Sequence, residues 1–184
     1  MGRRVAKGLR STHLTEEGHR VDLEPNTGNS ELLKRAYGCF PSGVTAICAM
    51  EGDKPVGIAA SSFTSVSLEP SLAAVCVQNT STTWPRLRGL RRLGVSMLAQ
   101  DQNETCRTLA QKTGDRFARV EWSSNTDGAV FVHGAVAWFD CTVHQEFPAG
   151  DHAIVLLAIH ALRAEPERAP LVFHGSRFRQ LVAV

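Results

Sequence analysis

The sequence predicts a mainly β protein, a closed or half-closed antiparallel barrel with a few short helices. Three observations carry this. Apolar runs rich in branched residues recur from Val44 to His174, only three stretches have helical spacing, and no GxGxxG joins a strand to a helix as a dinucleotide-binding α/β sheet requires. Strands at that density, without long helices between them, do not make βαβ units. A chain of 184 residues is enough for one well-buried core and short for two, so one domain is expected over residues 30–184.

Residues 1–29 are polar, carry Gly2, Gly8, Gly18, Gly28 and Pro25, and keep no period, the pattern of a flexible arm. From Ser30, which can cap, Leu32, Leu33, Ala36 and Tyr37 repeat at helical spacing until Gly38 and Pro41 end a short amphipathic helix. Residues 44–50 and 56–60 flank the turn residues EGDKP and read as a β-hairpin. After a hydroxyl-rich turn, residues 72–78 form a buried strand, NTST at 79–82 caps a short helix over about 85–90, and residues 92–98 are again strand-like. Asp101 with Glu104 makes a capping-box-like start for a helix carrying Cys106, Leu109 and Ala110 on one face and ending near Gly114. Residues 122–128 are turn-rich. Two strand segments around His133 and Gly134 occupy 129–143, and further strands are expected at 153–162 and 171–174.

Composition narrows the function. With 43% hydrophobic and 21% charged residues the chain has a soluble globular composition, and no apolar run approaches the ~20 residues of a membrane span. A net charge of +2 argues for no nucleic-acid partner. The one basic cluster, RLRGLRR at residues 86–92, lacks interleaved aromatics and reads as a solvated face beside a phosphate-bearing ligand. Cysteines 39, 48, 76, 106 and 141 form no CxxC pair and read as buried, reduced thiols of a cytoplasmic protein. The basic N-terminus lacks the apolar segment of a secretory signal, so neither export nor a lipid anchor is expected.

The stretch VGIAASSFTSVSLEP at residues 56–70 organises the chemistry. Gly57, Ala59 and Ala60 let a flat ligand approach the backbone, and Ser61, Ser62, Thr64, Ser65 and Ser67 surround Phe63 with donors suited to an anion. A Ser-rich surface turn is the alternative. Together with FPSGVTAI at 40–47, NTSTTW at 79–84 and PAGDH at 148–152, in this order, the stretch resembles the flavin reductase-like family, the small reductase components of two-component flavin monooxygenases.

That resemblance implies an FMN-binding split barrel with a Greek-key core, usually a homodimer with flavin sites near the subunit interface. It further implies hydride transfer from NADH or NADPH to FMN or FAD, with reduced flavin passed to a separate monooxygenase. The ring would lie against the segment from Ser42 through Gly43, Val44 and Thr45, and against Ala59 and Ala60, with Phe63 close by. Ser61, Ser62, Val66 and Ser67, with Asn79, Ser81, Thr82 and Arg92, would hold its polar edge and phosphate. Gly150, Asp151 and His152 would meet the nicotinamide nucleotide, with His152 as the catalytic position; without the family, His152 reads as a turn histidine bonded to Asp151. A metal site from Cys141, His144 and His152 is disfavoured, because residues three apart on a strand face opposite sides. Leu157 and Ala158 after the GDH turn, Pro70-Ser71 and His174 depart from the family pattern. A non-catalytic flavin-storage or sensor protein is the alternative function, and transfer of electrons to ferric iron a third.

Overall fold

The computed structural model describes residues 22–182. Of the expected N-terminal arm, residues 1–21 lie outside the described residues, and residues 22–29 carry no regular element. Helix α1 (Ser30–Gly38) follows, capped by the Asn29 side chain, which accepts hydrogen bonds from the Glu31 and Leu32 N–H groups at 3.1 and 3.2 Å. The cap is therefore one residue earlier than the sequence suggests, because the amide oxygen of Asn29 already reaches both free donors and Ser30 is drawn into the first turn.

A short strand β1 (Ser42–Gly43) leads into the hairpin of β2 (Thr45–Glu51) and β3 (Lys54–Ala60). Strand β2 is buried on both faces. Ile47 and Ala49 point into the barrel, whereas Ala46 and Cys48 pack on a second core with Leu98, Leu109 and Phe117, which explains the unbroken apolar run in its sequence. The hydroxyl-rich segment is not a simple turn. It forms edge strand β4 (Thr64–Leu68), antiparallel to β5 (Ser71–Gln78), with a bulge that leaves Val66 unpaired.

Helix α2 (Trp84–Leu87) is a single turn whose Trp84 and Leu87 are buried in the barrel core, and β6 (Leu93–Met97) follows. Helix α3 (Asn103–Leu109) begins after Gln102 without a side-chain cap and stops short of Gly114, its C-terminus tightened by a Gln111 N–H to Thr108 carbonyl bond. The expected capping box does not form. Short strands β7 (Trp122–Ser124) and β8 (Val130–Val132) precede the two longest, β9 (Ala137–Ala149) and β10 (His152–Ala164), which form one hairpin. Strands β11 (Val172–His174) and β12 (Arg177–Arg179) end the described fold.

The main sheet runs β3-β2-β6-β9-β10-β5-β4, all pairs antiparallel. Bulges in β4 and in the β9/β10 ladder bend it. The curl brings the end of β3 to β5, where the Ser62 hydroxyl donates to the Cys76 carbonyl and accepts from its N–H, both at 2.9 Å. One side chain thus substitutes for a strand residue at the seam, leaving a half-closed barrel. At Gly94 on β6 an added Cβ would lie 2.1 Å from the Val130 carbonyl oxygen, so only glycine permits β8 to cross there.

The arginine cluster is solvent-exposed at Arg86, Arg88 and Arg91, and each of its four arginines meets a carboxylate. Arg86 pairs with Glu51, Arg88 with Glu146, Arg91 with Asp127 and Arg92 with Asp140. Four strand or turn carboxylates thereby tether α2 and its flanks to the barrel, and Trp84 Nε1 adds a bond to Glu146 Oε1 at 3.1 Å. All five cysteines are free thiols, but only Cys48 and Cys141 are buried; Cys39 and Cys76 are exposed, Cys76 because alternate residues of β5 face outward.

Candidate active site

The β9/β10 hairpin turns in two residues, Gly150 and Asp151, between the paired Ala149 and His152. Gly150 has φ +66°, which a residue without Cβ adopts at no steric cost. The tip is fixed from β5, since His152 pairs with Gln78, the Asn79 N–H donates to the Asp151 carbonyl at 2.9 Å and Asn79 Nδ2 donates to the Gly150 carbonyl at 3.1 Å. Register and side chain together place the GDH turn beside the end of β3. A cavity of about 700 Å³ lies between them, with Ala59–Ser62 on one wall, Ser81 and Thr82 on another and His152 at its edge.

Of the residues singled out in the sequence, Ala59, Ala60, Ser61, Ser62, Ser81, Thr82 and His152 line this cavity. The others do not. Ser42 and Gly43 pair with Phe173 and Val172 of β11, Val44 is buried in the second core, and Thr45 donates its hydroxyl to the Ala60 carbonyl at 3.1 Å. Phe63 stacks on Phe139 with centroids 5.9 Å apart, an apolar contact that draws its ring away from the cavity. Val66 and Ser67 belong to edge strand β4, and Arg92 sits 3.7 Å from Asp140, held by that carboxylate. Gly150 and Asp151 form the hairpin tip outside the lining, and Asn79 braces it instead of facing the cavity.

Two cations that sequence reasoning missed, Lys112 and Arg116, complete the wall. Arg116 Nη1 donates to the Gly57 carbonyl at 2.9 Å and to the Thr83 hydroxyl at 2.8 Å, which fixes the guanidinium and leaves its other N–H groups available. Lys112 has no ion-pair partner among the described residues. Nothing local marks either residue. They reach the cavity because α3 ends at Leu109 and the following loop folds back over β3.

The hydroxyls divide by what they already bond. A hydroxyl has one O–H to donate, and Ser62 spends its own on Cys76, so the only donor this residue offers a ligand is its backbone N–H. Ser81 accepts from the Trp84 N–H at 3.1 Å and keeps its donor. The Ser61 and Thr82 hydroxyls have no hydrogen bond among the described residues. At the edge, His152 Nδ1 lies 2.8 Å from Asp151 Oδ1, and this bond to the imidazole holds the exposed Asp151 carboxyl below the usual carboxylate range. Among the described residues no group of His, Cys, Asp or Glu could hold a metal ion.

A slot with walls of small residues, unspent donors and two cations at one side suits a flat ligand bearing a phosphate, and it stays open at the histidine for a second ring. An oxidoreductase that handles flavin needs a slot of this kind. The chain belongs to the flavin reductase like domain family, whose model matches residues 37–182. It is 38% identical over 151 residues to the actinorhodin polyketide dimerase of Streptomyces coelicolor, covering 82% of this chain and 85% of that one. A flavin reductase of Pseudomonas putida is 36% identical over 155 residues, covering 84% and 91%. The solved NADH:FAD oxidoreductase of Streptomyces globisporus, in complex with NAD and FAD fragments, superposes with a TM-score of 0.81 at 35% identity, covering 88% of this chain and 98% of that one. Other relatives are reductase components of flavin-dependent monooxygenases, among them one from Mycobacterium tuberculosis at 32% identity, covering 84% and 81%.

Proposed function

We propose that this flavin oxidoreductase takes hydride from NADH or NADPH, delivers it to FMN or FAD in the cavity between Ala59–Ser62 and His152, and supplies reduced flavin to a separate monooxygenase. The observation that supports it is that Ser61 and Ser62, at the start of the serine-rich segment, and His152, at the end of the GDH turn, line one cavity within a single subunit. Ala59 and Ala60 form the ring wall. The Ser61 and Ser62 backbone and the Ser61 hydroxyl serve the polar edge, and Ser81, Thr82, Lys112 and Arg116 serve the phosphate. The flavin supplies the hydride-accepting centre when bound. The chain's own contribution is alignment: Asp151 fixes the His152 ring, and Asn79 fixes the turn that carries both.

The functional unit is a homodimer. Phe147, Ile154 and Cys76 align across β9, β10 and β5 on the outer face, with the half-buried Leu156 in the next row and Leu68, 93% exposed, at the edge. This apolar face begins two residues from His152, so a second copy covering it would also close the open side of the cavity. A cytoplasmic location fits the five free thiols, and no helix among the described residues is long and apolar enough to cross a membrane.

Mixing the purified protein with FMN or FAD and then NADH or NADPH without oxygen tests the reading. Loss of the oxidised flavin absorbance, catalytic in protein, is expected with at least one pairing. Tight flavin that none of the four pairings bleaches would favour the storage protein and refute the proposal.

A further inference from the structure

A separate cavity, of about 490 Å³, lies between the small β7/β8 sheet and the end of the β9/β10 hairpin opposite its tip, and it shares no lining residue with the cavity assigned to flavin. Ser123 and Phe131 come to it from β7 and β8, Trp138 and Asp140 from β9, and Ala161 and Leu162 from β10. Phe131 and Trp138 are half-buried and Leu162 is 65% exposed, so two aromatic rings and an aliphatic side chain leave apolar surface open within one concavity. Trp138 is held in place. Its Nε1–H donates to the Val132 carbonyl at 2.7 Å, and the Arg163 guanidinium lies over its ring, 5.5 Å from the centroid, tied in turn to Glu165 Oε1 at 2.7 Å. A wall already fixed costs an incoming ligand little ordering.

The polar groups select what can fill this space. Asp140 has the least exposed side chain of the lining's three ionised groups, 15% against 33% for Glu165 and 75% for Arg163. A carboxylate accepts about four hydrogen bonds. That of Asp140 accepts one among the described residues, from Asn125 Nδ2 to Oδ2 at 3.2 Å, while Oδ1 is buried with none and stands 3.7 Å from Arg92 Nη1, too far for a hydrogen bond. Its charge is therefore met by Arg92, and its hydrogen-bonding capacity is not. A second cation gains little beside Arg92, and an anion would be set against Asp140 and Glu165. A neutral donor on an aromatic ring meets both requirements, which separates the ligand from the phosphate-bearing flavin and nicotinamide nucleotides.

We infer that this cavity binds a small neutral aromatic molecule of about two fused rings carrying one N–H or O–H, its ring against Phe131, Trp138 and Leu162 and its donor on the Asp140 carboxylate. Dissociation constants are measured calorimetrically for indole, for 1-methylindole, which keeps the ring and lacks the donor, and for indole-3-carboxylate, which adds a negative charge. Each is titrated into the wild type with and without saturating FMN, and indole also into Leu162→Ser, which removes an apolar wall, and Ala161→Gln, which fills the space; both positions are exposed strand residues. Indole is expected to bind the wild type with a Kd below about 1 mM. The methylated and the carboxylated compounds should each bind at least about tenfold more weakly, the worth of a hydrogen bond to a charged group. Either substitution should weaken indole about threefold or more while the FMN affinity stays within about twofold of wild type. In proton–nitrogen NMR spectra indole should shift the Trp138 Nε1–H resonance, identified by its loss in Trp138→Phe protein. No heat from indole, equal affinity for indole and 1-methylindole, an affinity untouched by both substitutions, or displacement of indole by FMN would each overturn the inference. Flavin reduction by NADH would stand in every one of these cases, since the two cavities have no residue in common.

Discussion

Replacing Asn79 with alanine separates two roles that one residue could play. The sequence suggests a phosphate ligand; the structure has its Nδ2 on the Gly150 carbonyl at 3.1 Å, bracing the hairpin tip that presents His152. Alanine removes that bond and leaves the backbone bond from the residue 79 N–H to the Asp151 carbonyl at 2.9 Å. One exposed, neutral hydrogen bond contributes about 0.5–1.5 kcal/mol net, and loosening the tip by that amount lowers kcat/KM for the nicotinamide about two- to tenfold. Flavin affinity should change less than about twofold, since no flavin-facing group is altered. Initial rates at saturating flavin with NADH varied, set beside a fluorescence titration of flavin, read both quantities on the same preparation. A flavin dissociation constant that rises as far as kcat/KM falls would return Asn79 to the phosphate and refute the bracing role.

Three further outcomes follow from the same geometry. His152→Ala should cost far more in turnover with NADH than in flavin affinity, and equal losses in steady-state and titration data would contradict its placement at the nicotinamide side. Gly94→Ala forces a Cβ against the Val130 backbone, 2.1 Å from its carbonyl oxygen, and should destabilise the fold by about 3 kcal/mol or more in urea unfolding; a loss under about 1 kcal/mol would mean the β6/β8 crossing yields easily. Burial pushes the Cys141 thiol up from 9.0 to about 12 and Cys48 further in the same direction. Both thiols therefore hold their protons more tightly folded than unfolded, so their contribution is complete below about pH 9 and is lost as pH rises towards 12. Chemical denaturation across that range should show the decline, and Cys48→Ala/Cys141→Ala protein should lack that part of it.

Much of the barrel is legible in the sequence because its strands bury one or both faces. The hairpin of β2 and β3, the inward Ala73, Val75 and Val77 of β5, and the GDH turn all follow from local pattern. Strand β4 is not legible, since an edge strand with an exposed face needs no apolar alternation and its serines read as loop. The site divides the same way. Small residues and hydroxyls around Ala59–Ser62 announce a ligand wall, but which hydroxyl is spent on the seam, as Ser62 is, depends on how the sheet curls. Arg92 looks like an anion ligand until the fold supplies Asp140 from a strand far away in sequence. Lys112 and Arg116 are ordinary loop cations by sequence and become wall residues only through the return of the chain after α3.

The most direct test is a crystal structure of the protein with oxidised flavin and a non-reducing nicotinamide analogue bound together. The account predicts the isoalloxazine against Ala59 and Ala60, the phosphate within hydrogen-bond distance of Arg116 or Lys112, and the nicotinamide stacked on the ring from the His152 side at about 3–3.5 Å. Flavin bound at any other place, or a nicotinamide that reaches the ring without passing His152, would contradict it.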